Sequence, residues 1–257
     1  VTLFLVFIIG LSIGSFLNVV IYRLPLMLNG DDISIASPSR SFCVNCKHKL
    51  TIIDLIPVFS FFLLRRCCRY CKHPISIQYP IIELTSALIS VLIVYKFGIE
   101  QQTIYYLLFM YAVIPLFMID LKHQLLPDLI TLPLLWVGLI FNITYGINLK
   151  DAVIGAVFGY LILWSIYWIF KFVRGIEGMG YGDFKLTAAL GAWLGWQYIP
   201  DLLAIASISS IVTIVLLAII KKKADHIKKP HSFGPFLIIS GVILLFSQKN
   251  FINNILI

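Results

Sequence analysis

Charge is scarce in this chain. Aspartate and glutamate together number 12 among 257 residues, only 12% of the sequence is charged, and 60% is hydrophobic. That balance excludes an ordinary soluble globular domain and marks an integral membrane protein. Other absences narrow the reading. There is no internal repeat and no low-complexity tract, so the paired broken helices of repeat-built transporters are missing. No Gly-x-Gly-x-x-Gly segment offers a nucleotide site on a strand-to-helix turn. The apolar start lacks a basic leader and a small-residue cleavage site, and Asn18 interrupts its end, so it reads as a span rather than a signal peptide. The net charge of +8 does not gather on one stripe between aromatics, which excludes a nucleic-acid surface; loop alternation and anionic lipid headgroups account for it.

What is present is a series of apolar runs. Stretches of roughly 17–25 apolar residues cross a bilayer as helices, and eight such runs are readable, at 1–22, 80–97, 102–120, 129–147, 152–173, 185–199, 202–220 and 234–248. The fold class is therefore an all-α polytopic membrane protein with about eight transmembrane helices. The sixth run is short and glycine-rich, with Gly191 and Gly195. Pro115 and Pro133 fall inside spans and should kink them where neighbours can satisfy the freed carbonyls. Three regions follow: a first transmembrane helix (1–22), a polar cysteine-bearing insertion (23–79), and a helical bundle with short loops (80–257).

Lysine and arginine should accumulate on the cytoplasmic loops. Loops 23–79, 121–128 and 221–233 and segment 171–185 hold seventeen of the twenty; Lys96, Lys150 and Lys249 lie on the other side. Both termini are thereby expected outside, with the long insertion, Asp120 and Asp183 at the cytoplasmic face.

The insertion holds two C-x-x-C knuckles, Cys43/Cys46 and Cys68/Cys71, with 21 residues between them. Thiolates at i and i+3 of a tight turn reach one ion at about 2.3 Å, and two such pairs complete a tetrahedral four-cysteine site. Structural disulfides are rare in the reducing cytoplasm, so a structural zinc is expected rather than cystine or a thiol oxidoreductase. Four thiolates leave no open position for catalysis. Cys67 is a fifth thiol that either competes as a ligand or packs, and His48 and His73 read as surface groups beside the knuckles. The apolar stretch Leu55–Leu64 is too short to span and is either a buried core piece or an interfacial segment.

Two aspartates stand where a membrane protein can least tolerate them. Asp120 ends the apolar run 107–119, and Asp183 closes the glycine segment 174–183, which cannot be a regular helix. An intramembrane ionisable residue is a functional-site hypothesis with a partner to be named, and each aspartate is the other's candidate. Two carboxyls in a low-dielectric site share one proton. The ionised member can then take a proton from attacking water while the protonated one supports the oxyanion and supplies the leaving amine. The alternative is that aspartates cap helices. Asp128, after Pro127, suits an N-cap, and Asp183 also precedes a span; Asp120 ends a helix, where the dipole disfavours an anion. Lys122 and Lys185, each two residues beyond an aspartate, are candidate charge partners. Buried carboxylates among many spans also suit a proton-coupled transporter, the rival reading.

Taken together the motifs resemble the bacterial type IV prepilin peptidases, or leader peptidase/N-methyltransferases, of the GxGD intramembrane aspartic proteases. The likeness runs through Gly14-Ser-Phe-Leu-Asn-Val-Val-Ile-Tyr-Arg-Leu-Pro25, both cysteine knuckles, Gln78-Tyr-Pro-Ile-Ile-Glu83, Ile119-Asp-Leu-Lys, Leu126-Pro-Asp128, Glu177-Gly-Met-Gly-Tyr-Gly-Asp-Phe-Lys-Leu186 and Phe233-Gly-Pro-Phe236. The resemblance implies that Asp120 and Asp183 are the catalytic pair; Gly180, Gly182, Lys122, Lys185 and Asp128 stand beside them as candidate supporting residues. It implies a bacterial inner-membrane enzyme that cuts the basic leader of type IV prepilins or type II secretion pseudopilins after a glycine. It also implies N-methylation of the new N-terminus from S-adenosylmethionine, an activity tied to the tetra-cysteine insertion. The loop between Pro25 and Cys43 is short for that family, Cys67 is an additional thiol, and Val1 in place of methionine implies an alternative start or a trimmed chain.

Overall fold

The computed structural model describes residues 1–31, 33–38, 40–175, 179–221 and 232–247. Glu177, Lys249 and four of the lysines counted in loop 221–233 (Lys222, Lys223, Lys228, Lys229) lie outside them. Among the described residues there is no strand, only isolated bridges between Phe42 and Lys49 and between Cys67 and Pro74. The chain forms two compact units, Val1–Pro115 and Leu116–Ile257.

All eight apolar runs are helices: α1 (Thr2–Leu28), α3 (Gln78–Phe97), α4 (Gln101–His123), α5 (Asp128–Thr144), α6 (Leu149–Arg174), α7 (Tyr181–Leu194), α8 (Ile199–Lys221) and α9 (Gly234–Ser247), with a short helix α2 (Phe59–Leu63) inside the insertion. Five are long and apolar enough to cross a membrane: α1, α3, α4, α6, and α8 with its leading turn. Pro115 and Pro133 sit within α4 and α5 without ending them. The first helix runs six residues past its expected end, through Pro25. Near that end Arg23 is buried and donates from Nη1 to the carbonyls of Pro38 (2.8 Å) and Ile35 (3.0 Å), so its charge is enclosed by the insertion rather than left to solvent.

In the first unit α1 and α3 pack tightly. Lipid tails give apolar helices no hydrophobic reason to associate, so close backbone approach through small residues carries the contact. Gly14 supplies it: a Cβ there would lie 2.6 Å from the Cα of Glu83. Asn18 adds a bond from Nδ2 to the carbonyl of Tyr79 at 3.1 Å. The two ends of the insertion are thereby held together.

In the second unit α7 is the centre, packed by α5, α6 and α9. From Phe184 it is buried almost without interruption to Leu194. At 14 residues it is about 21 Å long, less than a bilayer core. The span-length rule assumes lipid on the outside; a helix walled by protein is released from it. Its glycine-rich character serves the wall: Gly155 of α6 and Gly191 of α7 meet backbone to backbone. Trp193 donates from Nε1 to the carbonyl of Leu134 in α5 at 2.9 Å, fixing the far end.

Candidate active site and metal centre

Asp120 lies in the last turn of α4 and is 4% exposed; Asp183 is the third residue of α7 and 9% exposed. The glycine segment thus ends earlier than expected, and Asp183 belongs to a helix. Its backbone N–H bonds the carbonyl of Gly180 at 3.2 Å, and the Gly180 N–H returns a bond to its carboxyl. This reciprocal arrangement satisfies helix-end groups, and a first-turn position favours an anion through the helix dipole. The turn is held from behind by Phe184, packed edge-on against Tyr160, Tyr167 and Tyr181.

Asp120 stands at the unfavourable end of its own helix but against the favourable end of another. The backbone N–H of Gly234, first residue of α9, donates to its carboxyl, which is the helix-terminus solution for an anion. A Cβ at Gly234 would lie 2.6 Å from Oδ2 of Asp120, so only glycine permits the approach. The charge of Asp120 reaches Asp183. Leu126, in the loop after α4, lies beside both Gly182 and Gly234 and closes the space on that side. Among the described residues Oδ2 of Asp120 is buried with no hydrogen-bond partner. Leaving such an atom bare costs about 1–3 kcal/mol, and a native fold that keeps one calls for an explanation such as catalysis.

The supporting residues divide. Lys185 does not turn to Asp183; its Nζ bonds both oxygens of Asp128 at 2.8 and 2.7 Å, joining α7 to the start of α5. Asp128 is correspondingly the first residue of α5, with Pro127 at the cap position, so it acts as an ion-pair partner rather than as the N-cap. Lys122 is exposed in the last turn of α4, where the helix end favours a cation. The sequence gives Gly234 no role beyond its place in Phe233-Gly-Pro-Phe236. Its function depends on where the start of α9 is brought.

The insertion gathers Cys43, Cys46, Cys68 and Cys71 so that all four sulfurs lie within 4.8 Å of one another. A tetrahedral zinc with bonds of about 2.3 Å needs sulfurs ~3.8 Å apart, and Sγ of Cys43 and Cys71 are 3.8 Å apart. The donor set therefore fits such an ion. Cys67 lies outside the group. The two knuckles are copies. Each reads Cys-x-x-Cys-Lys-His, at 43–48 and 68–73. In each the first cysteine N–H bonds the histidine carbonyl (2.9 Å both), the lysine N–H bonds the first cysteine carbonyl (2.9 and 3.0 Å), and the lysine takes φ of 58°. This twinned hexapeptide corrects the expectation that the chain holds no internal repeat; at six residues it falls far below the length of the units that build repeat folds. The His73 backbone N–H and the Asn45 side chain hold the Cys71 thiol down to about 6. His48's backbone N–H favours the Cys46 thiolate, but burial and the neighbouring Cys71 and Cys43 push that thiol up to about 11. Asp54, buried beneath, is tied by Thr51 and by Arg69, whose Nε is 2.9 Å away.

Two family descriptions match the chain in succession. Residues 8–97 match the bacterial peptidase A24 N-terminal domain, and residues 107–219 match the type IV leader peptidase family. Prepilin leader peptidase/N-methyltransferases are similar along nearly the whole chain. That of Aeromonas hydrophila is 47% identical over 94% of this chain and 89% of its own length. Those of Stutzerimonas stutzeri and Pseudomonas aeruginosa are 43% and 41% identical, covering 93% and 92% of this chain and 88% and 87% of their own. This chain belongs to the type IV leader peptidase family. Membership leaves the transporter reading without support. No solved structure matches.

Proposed function

We propose that this protein removes the basic leader of type IV prepilins or type II secretion pseudopilins after a glycine, at the cytoplasmic face of the bacterial inner membrane, with Asp120 and Asp183 as its catalytic dyad. The observation that carries the reading is the bare, buried Oδ2 of Asp120 beside a second buried aspartate. The pair shares one proton. Its ionised carboxylate takes a proton from water as the water oxygen bonds the scissile carbonyl carbon. The protonated carboxyl supports the oxyanion; then the carbon–nitrogen bond breaks and the amine leaves with that proton.

The names of the relatives support a second activity, N-methylation of the newly freed N-terminal amine with S-adenosylmethionine as donor. Cys43, Cys46, Cys68 and Cys71 would hold a structural zinc that orders the insertion; with four thiolates bound it supplies no Lewis-acid position. The excess of lysine and arginine on alternate loops supports the cytoplasmic placement of insertion and dyad.

Incubating the purified protein with a prepilin and a labelled methyl donor reads both activities, cleavage by mass and methylation by label. Asp120→Asn and Asp183→Asn should each lose cleavage by about 10³-fold or more while still methylating a pilin cleaved beforehand. Normal cleavage by either variant removes that residue from the dyad.

A further inference from the structure

The insertion carries an apolar surface that the rest of the chain does not cover. Ile52 is 85% exposed, Phe59 59%, Phe62 66% and Leu63 57%, with Ile53 and Ile56 also open. Between residues 51 and 64 only Asp54 and Phe61 are buried. Single exposed hydrophobes are ordinary, but a contiguous group marks an interaction surface. Of the two sequence readings of this stretch, the buried core piece fails.

Strain and a buried acid meet in its middle. Val58 has φ of 62° and ψ of −48°, and the Phe59 N–H bonds the Pro57 carbonyl at 2.6 Å. This is a γ-turn of the rare positive-φ form, on a β-branched residue for which that conformation is a true outlier. It is held from outside: the Val58 N–H donates to Oε2 of Glu83 at 2.7 Å. Glu83 is buried, is the sixth residue of α3, and also accepts from the Ser15 side chain of α1. Its carboxylate is therefore fixed about 8 Å along a helix long enough to cross the membrane, and whatever is bonded to it is held against that stretch of α3.

We propose that Ile52–Leu63 is a membrane-inserted interfacial element, its exposed side chains lying among the lipid acyl chains, and that Glu83 sets its depth through Val58. At five residues α2 cannot span, and a short apolar helix at the rim of a span lies in the interface plane. Arg65 and Arg66 follow directly, where cations suit the headgroup level. The occupant follows from continuity: the Val58 anchor lies alongside the spans, so the face beyond it meets the same lipid they meet.

The test places a photo-crosslinking benzoyl-phenylalanine at Phe62, and separately at Asn45 in the first knuckle, in the full-length protein in nanodiscs of phosphatidylethanolamine and phosphatidylglycerol. Mass spectrometry should find lipid adducts from position 62 and none from position 45. Adducts from position 62 to a second protein copy, or equal lipid labelling at both positions, overturn the insertion. Glu83→Met removes the acceptor at similar volume and should abolish the lipid adduct at 62, whereas Glu83→Gln keeps a carbonyl for the Val58 N–H and should retain it. Undiminished labelling in Glu83→Met overturns the clamp. The wild-type comparison of the two positions stands even if Glu83→Met does not accumulate.

Discussion

Gly234 and Asp120 meet backbone to side chain: the first N–H of α9 caps the carboxyl that ends α4. The contact leaves one carboxylate oxygen bonded and the other bare and buried. It also leaves no room for a side chain.

Gly234→Ala should therefore act as a displacement of Asp120. The added carbon would stand 2.6 Å from Oδ2, and moving a catalytic group by about an ångström costs on the order of a hundredfold. Cleavage of a prepilin should fall by that amount while methylation of a cleaved pilin persists. Unchanged cleavage would separate α9 from the dyad.

Lys185 and Asp128 form a half-exposed ion pair, and such pairs contribute only about 0–1 kcal/mol. Lys185→Met and Asp128→Asn should each lower thermal stability slightly, and the double variant should be no worse than either single one. Additive losses in that double-mutant cycle would mean that the two residues act through other partners.

Metal removal has a countable outcome. With an ion bound, Cys67 should react with a thiol reagent and the four knuckle cysteines should not. After chelation all five cysteines should react, with hydrogen exchange rising across 41–75. Protection that survives chelation would sink the structural metal.

Acid should loosen the insertion through Asp54. Burial alone would raise its pKa, but the Thr51 hydroxyl and amide and the Arg69 guanidinium outweigh burial and hold it below the ordinary 3.8. A carboxyl depressed in the folded state stabilises fully above its unfolded value, and the contribution is lost as pH falls below 3.8 toward the lowered one. Asp54→Asn should lose about 2 kcal/mol of local stability at neutral pH and respond less to acid below about pH 4, read by protease cutting between Arg40 and His73.

The helices were legible because crossing a bilayer leaves a plain mark, a run of apolar residues of set length. Where that logic stops, so does legibility: α7 is short and glycine-rich because protein, not lipid, surrounds it. The two aspartates stood out because charge there is expensive. Lys185 and Asp128 also stood out beside them, but their pairing with each other across 57 residues did not, nor did Gly234, which approaches Asp120 only through the packing of α9. Hydropathy and spacing carry no record of such meetings. Val58 was equally silent, its backbone being set by an acid on another helix.

The twinned Cys-x-x-Cys-Lys-His turns bear on the order of biosynthesis. Neither hexapeptide alone offers more than two sulfurs, and α2 with its neighbours encloses little of its own. A clasp of four sulfurs cannot close before Cys71 has been made, and α3 begins only seven residues later, at Gln78. If the four cysteines hold the proposed zinc, closure of the clasp and entry of the second span into the bilayer become neighbouring events, and a shortage of metal would be felt first as a fault in membrane assembly.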